Sequence, residues 1–540
     1  MNNRFLCASY SGSLIDMRAH FVPSAALACL AATFACVHGM PCPEKGGPVW
    51  REVTSANFAV TTDLTDEDAR AFTQGLEVYV AALDAVLPMP PLGERIQVFA
   101  PRNGQELAFY VADDKGGFRV QRAIASRTVL DEPLVSASVL LPAWDQHALR
   151  DFLLRERLRH WQPWMFAWLD DGLMQLLSTV RVDDRGHVLA GGPVPQWVQL
   201  LDRQGLGAHP SWPEFERPKE AREQELYRAR AWFLVQHLAL RRAAQFRAFL
   251  EGLQENREHG YGDVFGEKPA DPEVHGVSIG GGSLEPLDRE LASTLKAGIY
   301  ASFETQLRAR PPLPGPSTPL SEAELHARWG LAYRHSPDAW RWSVVTEEAD
   351  EALKHEPTHP IALETADLSP ERRVDLLEQA TREHPTDWRP WILLWSFTEQ
   401  LAQGQTKSQI LPVLDTLARR LRSGPRVDGP LQAERLEKAL ALAPDRFPVV
   451  AAAAIAKLER KDDGAATLAL AAFRLRPSAP IATVLFARGL EAAGRWSESG
   501  AQLSDAQRIA EQRGLGRDVV RWFQEEDKAL SGRHLPPERR

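Results

Sequence analysis

Residues Leu149–Val180 read LRDFLLRERLRHWQPWMFAWLDDGLMQLLSTV, and the rest of the chain is best understood outward from them. An amphipathic helix is expected from Asp145 to His160. A short turn follows around Gln162-Pro163. A second helix then carries Trp168-Leu169-Asp170-Asp171-Gly172-Leu173.

Upstream, short strands are expected at Trp50–Val53 and Phe58–Thr62, around a turn at Ser55-Ala56-Asn57. A helix opens at Thr65-Asp66-Glu67, with Thr65 as N-cap and apolar residues Phe72, Leu76, Val80, Leu83 and Leu87 at helical spacing. Arg95–Ala100 reads as a strand and Gly104–Val111 as a short helix. Gly117–Val120 and Ser136–Leu141 read as two more strands. This order predicts an α+β domain, a small mixed sheet packed on helices.

Downstream, residues 180–222 are turn-rich. A helical pattern runs from Glu223 to Leu253 with an interruption at Arg241-Arg242, and another helix opens at Ser283 and reaches about Leu307. The run Arg310-Pro311-Pro312-Leu313-Pro314-Gly315-Pro316 predicts an extended spacer. Beyond it, helices alternate with Pro-containing turns at Pro357, Pro385, Pro444 and Pro477. The interval from Pro444 to Pro477, with the small residues of 451–454 and 469–472 inside it, resembles the tetratricopeptide repeat, whose period is about 34 residues. The interval from Pro357 to Pro385 is shorter and fits that period only loosely. A non-repeating helical bundle is the alternative.

Length and composition agree with several domains. The chain has 540 residues, 44% hydrophobic and 25% charged, with a net charge of −9 and no basic run that would suit nucleic acid. All four cysteines, Cys7, Cys29, Cys36 and Cys42, fall in the first 42 residues, which leaves the body without a disulfide or a thiolate metal site. From Met17, a candidate initiator, a basic start precedes an apolar stretch, Phe21–Val37, of secretory length. Ala35-Cys36 resembles a bacterial lipoprotein signal, which implies lipidation at Cys36, a membrane anchor and a place in the cell envelope. The alternative is an unlipidated signal peptide. The expected domains are an export segment at 1–42, an α+β domain at 43–309, a Pro-rich linker at 310–319, helical repeats at 320–530 and a polar tail at 531–540.

The Leu149–Val180 stretch resembles the gluzincin, or peptidase MA-like, family. In that family one helix carries His-Glu-x-x-His, whose histidines hold zinc while the Glu acts as base, and a later Trp-Leu-x-Glu-Gly-Leu segment gives a third ligand. Here Arg155-Glu156-Arg157-Leu158-Arg159 stands at the first motif and only Glu156 matches. In Trp168–Met174, Asp171 takes the place of the ligand Glu, at a spacing from Arg159 that resembles the compact bacterial members. Tyr227 and Trp232-Phe233-Leu234-Val235 are similar to the family's later helix. The resemblance implies a gluzincin-like fold over about residues 50–305.

Its ligands are missing. Guanidinium has no lone pair for a metal, and His160 with Asp171 makes at most two ligands, too few for catalytic zinc. The sequence therefore predicts no catalytic residue, no metal and no cofactor. Arg155, Glu156, Arg159 and Asp171 are expected as an ion-pair network joining the two helices, or Glu156 as a solvated i,i+3 partner of Arg159. The one literal zinc motif, His355-Glu356-Pro357-Thr358-His359, is interrupted by Pro357 and followed by Pro360, so no helix can stack its histidines. Trp161, Trp164 and Trp168 read as packing residues. Gly280-Gly281-Gly282 lacks the Lys-Ser/Thr of a phosphate loop. The expected function is a non-catalytic envelope scaffold taking protein or peptide clients on its repeats and its peptidase-like cleft. An active zinc metallopeptidase with an atypical ligand set is the alternative.

Overall fold

The computed structural model describes residues 42–91, 94–102, 124–127, 133–136, 146–161, 165–206, 221–254, 285–298, 300–334, 341–402, 413–423, 429–512 and 517–534. Among these, 19 helices and nine strands form an α+β part followed by a helical part. The expected helix at 104–111 and strand at 117–120 lie outside the described residues, as do residues 137–141, Trp164 and Gly280–Gly282.

The first part opens with the antiparallel pair β1 (Arg51–Thr54) and β2 (Phe58–Thr62). Helix α1 (Asp66–Val86) follows, capped by the Thr65 side chain, which accepts from Asp68 N as its position before three acidic residues suggests. Strand β3 (Ile96–Phe99) then pairs parallel to β2. Strands β4 (Ile124–Arg127) and β5 (Pro133–Ser136) pair antiparallel, and β5 runs parallel to β3. The sixth strand, β9 (Thr318–Pro319), closes the sheet in the order β4-β5-β3-β2-β1-β9.

Alternation along the strands gives the sheet two buried faces. Phe58, Val60, Ile96 and Val98 point to α1, where Leu76, Tyr79, Val80 and Leu83 meet them. On the other face Trp50 stacks on Phe99, with ring centroids 5.2 Å apart, and meets Trp329 edge-on at 5.7 Å. Trp329 belongs to α8 (Glu322–Arg334), the first helix of the helical part. That helix pairs with α9 (Arg341–His355), and Tyr333, Val344 and Val345 complete the cluster on Trp50.

The Pro-rich run expected as a spacer is therefore bound in place. Arg70 Nε donates to Pro314 O at 2.9 Å, Gln74 Nε2 to Pro311 O at 3.1 Å and Ser317 N to an Asp66 carboxylate oxygen at 2.7 Å. The run is extended, as its prolines require, but it lies along α1 and ends as a sheet edge.

Helices α2 (Gln146–Trp161) and α3 (Ala167–Ser178) follow the sheet. The turn-rich stretch after them contains a hairpin, β6 (Arg181–Val182) and β7 (His187–Ala190), and helix α4 (Pro195–Gln204). Helices α5 (Ala221–Arg241) and α6 (Ala243–Gln254) break at Arg242, where the sequence places the interruption. Helix α7 (Glu285–Ala297) is shorter than expected. Gly298, at φ +63°, stops it, and Phe303–Gln306 becomes β8 against β7.

The second part continues with α10 (Pro360–Thr365), α11 (Pro370–Glu383), α12 (Arg389–Ala402), α13 (Val413–Ser423), α14 (Pro430–Leu442), α15 (Phe447–Arg460), α16 (Ala465–Leu475), α17 (Pro480–Ala492), α18 (Trp496–Gln512) and α19 (Arg517–His534). The four Pro turns share one geometry. Helices α9, α11, α14 and α16 each end two residues before Pro357, Pro385, Pro444 and Pro477. A backbone hydrogen bond then spans each proline: His359 N to Glu356 O, Asp387 N to His384 O, Arg446 N to Ala443 O and Ala479 N to Arg476 O, at 3.0 to 3.3 Å. Proline's fixed φ suits the second position of such a turn and bars the helix from continuing. From α15 to α19 each helix packs on the next, and α15 also meets α17, as α17 meets α19. Ala451–Ala454 are buried in this stack.

Candidate functional site

The helix pair α2–α3 rests on apolar faces. Leu153, Leu154 and Leu158 of α2 are fully buried, as are Leu169 and Leu177 of α3. Trp161 and Trp168 belong to this core, and Trp168 stacks on Phe249 at 6.3 Å, consistent with a packing role. Gly172 sits where α3 crosses α5. A Cβ there would lie 2.4 Å from Val235 Cγ2 and 2.6 Å from Ala231 O, so only glycine allows this approach. The glycine of the Trp168–Leu173 segment and the apolar run Trp232–Val235 therefore touch.

The charged residues of α2 separate by face. Arg155 is exposed. Arg159 is 43% exposed, and its Nη1 lies 3.7 Å from Glu156 Oε1, an i,i+3 pair within one helix. Between them Arg157, 2% exposed, turns inward to pair with Asp84 of α1 and to reach Met89 O at 3.4 Å. His160 is half-buried. Asp171 is buried in the first turns of α3, and so is Asp170, which no motif in the sequence singles out. Positions 155 and 159 thus carry guanidinium groups one turn apart, where the resemblance would need two imidazoles. The residues present do not fit a zinc ion, because a protonated guanidinium offers it no electron pair and repels it.

Two histidines of the first part stand apart from α2. His187 is exposed and lies 3.2 Å from an Asp183 oxygen. His237 is buried, and its Nε2 lies 3.1 Å from Glu290 Oε2. No protein-family model matches the sequence, and no curated protein matches it either.

The literal His355–His359 motif is one of the four Pro turns. His355 ends α9, and His359 caps α10 by accepting from Ala362 N. The two imidazoles do not share a helix, as Pro357 dictates. His359, which is buried, does belong to a concentration of largely buried polar groups that no local pattern would assemble, while His355 is exposed. Arg328 of α8 lies over the second face of the sheet. It pairs with Glu52 of β1 and Glu324 of its own helix, both at 2.6 Å, and donates to Gln97 Oε1 of β3 at 3.2 Å. Glu324 in turn meets His359 Nε2 at 2.8 Å. Burial works against ionisation of Glu324, but Arg328 and His359 outweigh it and hold the carboxyl well below its usual range.

Cys42 belongs here too. The sequence assigned it to the export segment, yet its side chain is 1% exposed and packs with Trp50 and Trp329. The only sequence signal was its nearness to Trp50. The partner helix, α8, lies past the middle of the chain, beyond the reach of any local pattern.

Proposed function

We propose that the protein is an exported, non-catalytic binding protein of the bacterial envelope, built on a pseudo-metallopeptidase domain and a tetratricopeptide-like array. The carrying observation is the charge arrangement on α2. Arg155 and Arg159 stand one turn apart, with Glu156 engaged by Arg159 at 3.7 Å. A Glu held this way beside two guanidinium groups cannot serve a metal-bound water as base. The stacked helices from α15 to α19 support the binding role, since such stacks present extended surfaces to polypeptide segments. The apolar Phe21–Val37 stretch and Cys36 support export and a lipid anchor. No helix of the described residues is long and apolar enough to cross a membrane.

The test uses reduced, labelled casein as an extended client. The full chain should bind it and leave it intact with or without added zinc. The triple variant Arg155→His, Arg159→His, Asp171→Glu should take up one zinc ion more than the wild type. Zinc-dependent cleavage by the wild type, abolished in Glu156→Gln, would overturn the non-catalytic reading. Absence of casein binding would overturn the client reading.

A further inference from the structure

The cluster around His326 holds a set of facing electron-pair donors. His326 is 5% exposed, and its Nδ1 lies 2.6 Å from Glu348 Oε2 of α9, itself buried. A carboxylate can only accept, so Nδ1 donates to Glu348 and Nε2 is turned the other way. On that side Glu322 Oε2 lies 3.7 Å from Nε2. This oxygen is closed off from solvent and takes no hydrogen bond among the described residues. The other oxygen of Glu322 accepts from Glu44 N at 2.9 Å, which fixes the carboxylate. The donor atoms of Cys42, Glu322 and His326 all lie within 4.8 Å of one another, as do those of His326, Glu351 and His355.

Nε2 and the buried Glu322 oxygen need a proton or a metal ion between them, because two bare electron-pair donors facing across a closed gap repel. A sulfur, an imidazole nitrogen and a carboxylate oxygen are zinc's customary ligands, and a carboxylate on the far nitrogen is the usual support of a metal-bound histidine. We propose that Cys42, Glu322 and His326 bind a divalent transition-metal ion of zinc's borderline character, with water completing the set. Glu348 is the positioning residue, setting the His326 tautomer. On binding, the Cys42 thiol loses its proton to solvent and the thiolate bonds the metal, with no redox change. Bonds of about 2.0–2.3 Å require the donors to draw together slightly. The ion would fasten the chain at Cys42 to the first helix pair of the helical part, on the far side of the sheet from α1. The proposal does not depend on the non-catalytic reading of α2.

The test is titration of the full chain, reduced and stripped by chelator, with zinc alone and then with cobalt as a spectroscopic stand-in. The wild type should take up one zinc ion and melt at a higher temperature with it. Its cobalt form should show thiolate-to-metal charge-transfer absorption. Cys42→Ser should lose that absorption, His326→Gln should lose binding, and Glu348→Gln should weaken binding about 10–100-fold. Arg155→Ala should change none of these. If the wild type takes up no zinc, the proposal is overturned. A cobalt form of the wild type without thiolate charge transfer overturns it as well, whether or not any variant folds.

Discussion

Arg328 Nη2 lies 2.6 Å from Glu52 Oε2, and this ion pair ties the first helix of the helical part to the second strand from the edge of the sheet. Arg328 also holds Glu324, and through it His359. Replacing Arg328 with methionine keeps the packing stem but leaves Glu52 without this cation and Glu324 with His359 alone. Breaking a desolvated pair in this way costs about 3 kcal/mol or more. Urea unfolding of Arg328→Met should show that loss. Glu52→Gln/Arg328→Met should be less destabilised than the sum of the single changes, because one stranded charge is gone. Additive losses would show that the pair carries no coupling.

Gly172→Ala should destabilise by about 1–3 kcal/mol, the usual cost of forcing a methyl group into a packed contact. Alanine is the better helix former by about 1 kcal/mol, so an exposed glycine would give the opposite sign. Val235→Ala removes the nearer obstacle at 2.4 Å but leaves Ala231 O at 2.6 Å, so rescue should be partial. Thermal melts of the two single variants and the double variant decide it. A neutral Gly172→Ala would mean that α3 and α5 are further apart than described.

The same pair of helices shows what the sequence could and could not reveal. Helical spacing located α2 to within a residue at each end, and the Trp168–Leu173 segment falls inside α3, because an amphipathic pattern is a local property. The Pro turns at 357, 385, 444 and 477 were legible for the same reason, since proline acts on its own backbone. The sheet was legible only in part. Thr318–Pro319 pairs with Arg51–Glu52 from the far side of the whole α+β part, and a run of prolines gives no sign that its last residues form an edge strand. Helix α7 was overrun because nothing local before Gly298 says that Phe303–Gln306 has a partner in β7. The inward turn of Arg157 was hidden too. Its partner Asp84 lies on another helix, and by composition alone Arg155, Arg157 and Arg159 look alike.

Gly489 of α17 offers a second close approach, this time inside the helical stack. A Cβ there would lie 2.7 Å from Ala469 Cβ of α16. Gly489→Ala should therefore lower stability by about 1–3 kcal/mol. The swap Gly489→Ala/Ala469→Gly keeps one methyl group in the contact and should recover most of the loss. Urea midpoints of the three variants form a double-mutant cycle. A swap no better than the single change would place the obstacle in the Ala466 backbone, 3.4 Å away, and not in the Ala469 side chain.

His237 predicts a pH dependence of stability with a definite sign. Burial depresses its basicity most. The hydrogen bond and charge of Glu290 oppose that effect, and the positive charges of Arg242 and Arg241 add to it, so the net shift is downward. Arg242 also clasps Glu290 at 2.8 Å, which keeps that carboxylate ionised and committed. In the unfolded chain the imidazole takes its proton near pH 6.5, roughly its reference value. In the fold it resists protonation until lower pH. Acidification through about pH 6.5 therefore favours the unfolded state, and the contribution lost is complete only below the folded value. His237→Gln can still donate to Glu290 but does not titrate. Urea midpoints measured at pH 7.5 and pH 5 should fall further for the wild type than for His237→Gln. Equal falls would show that the buried imidazole is not what makes the fold sensitive to acid.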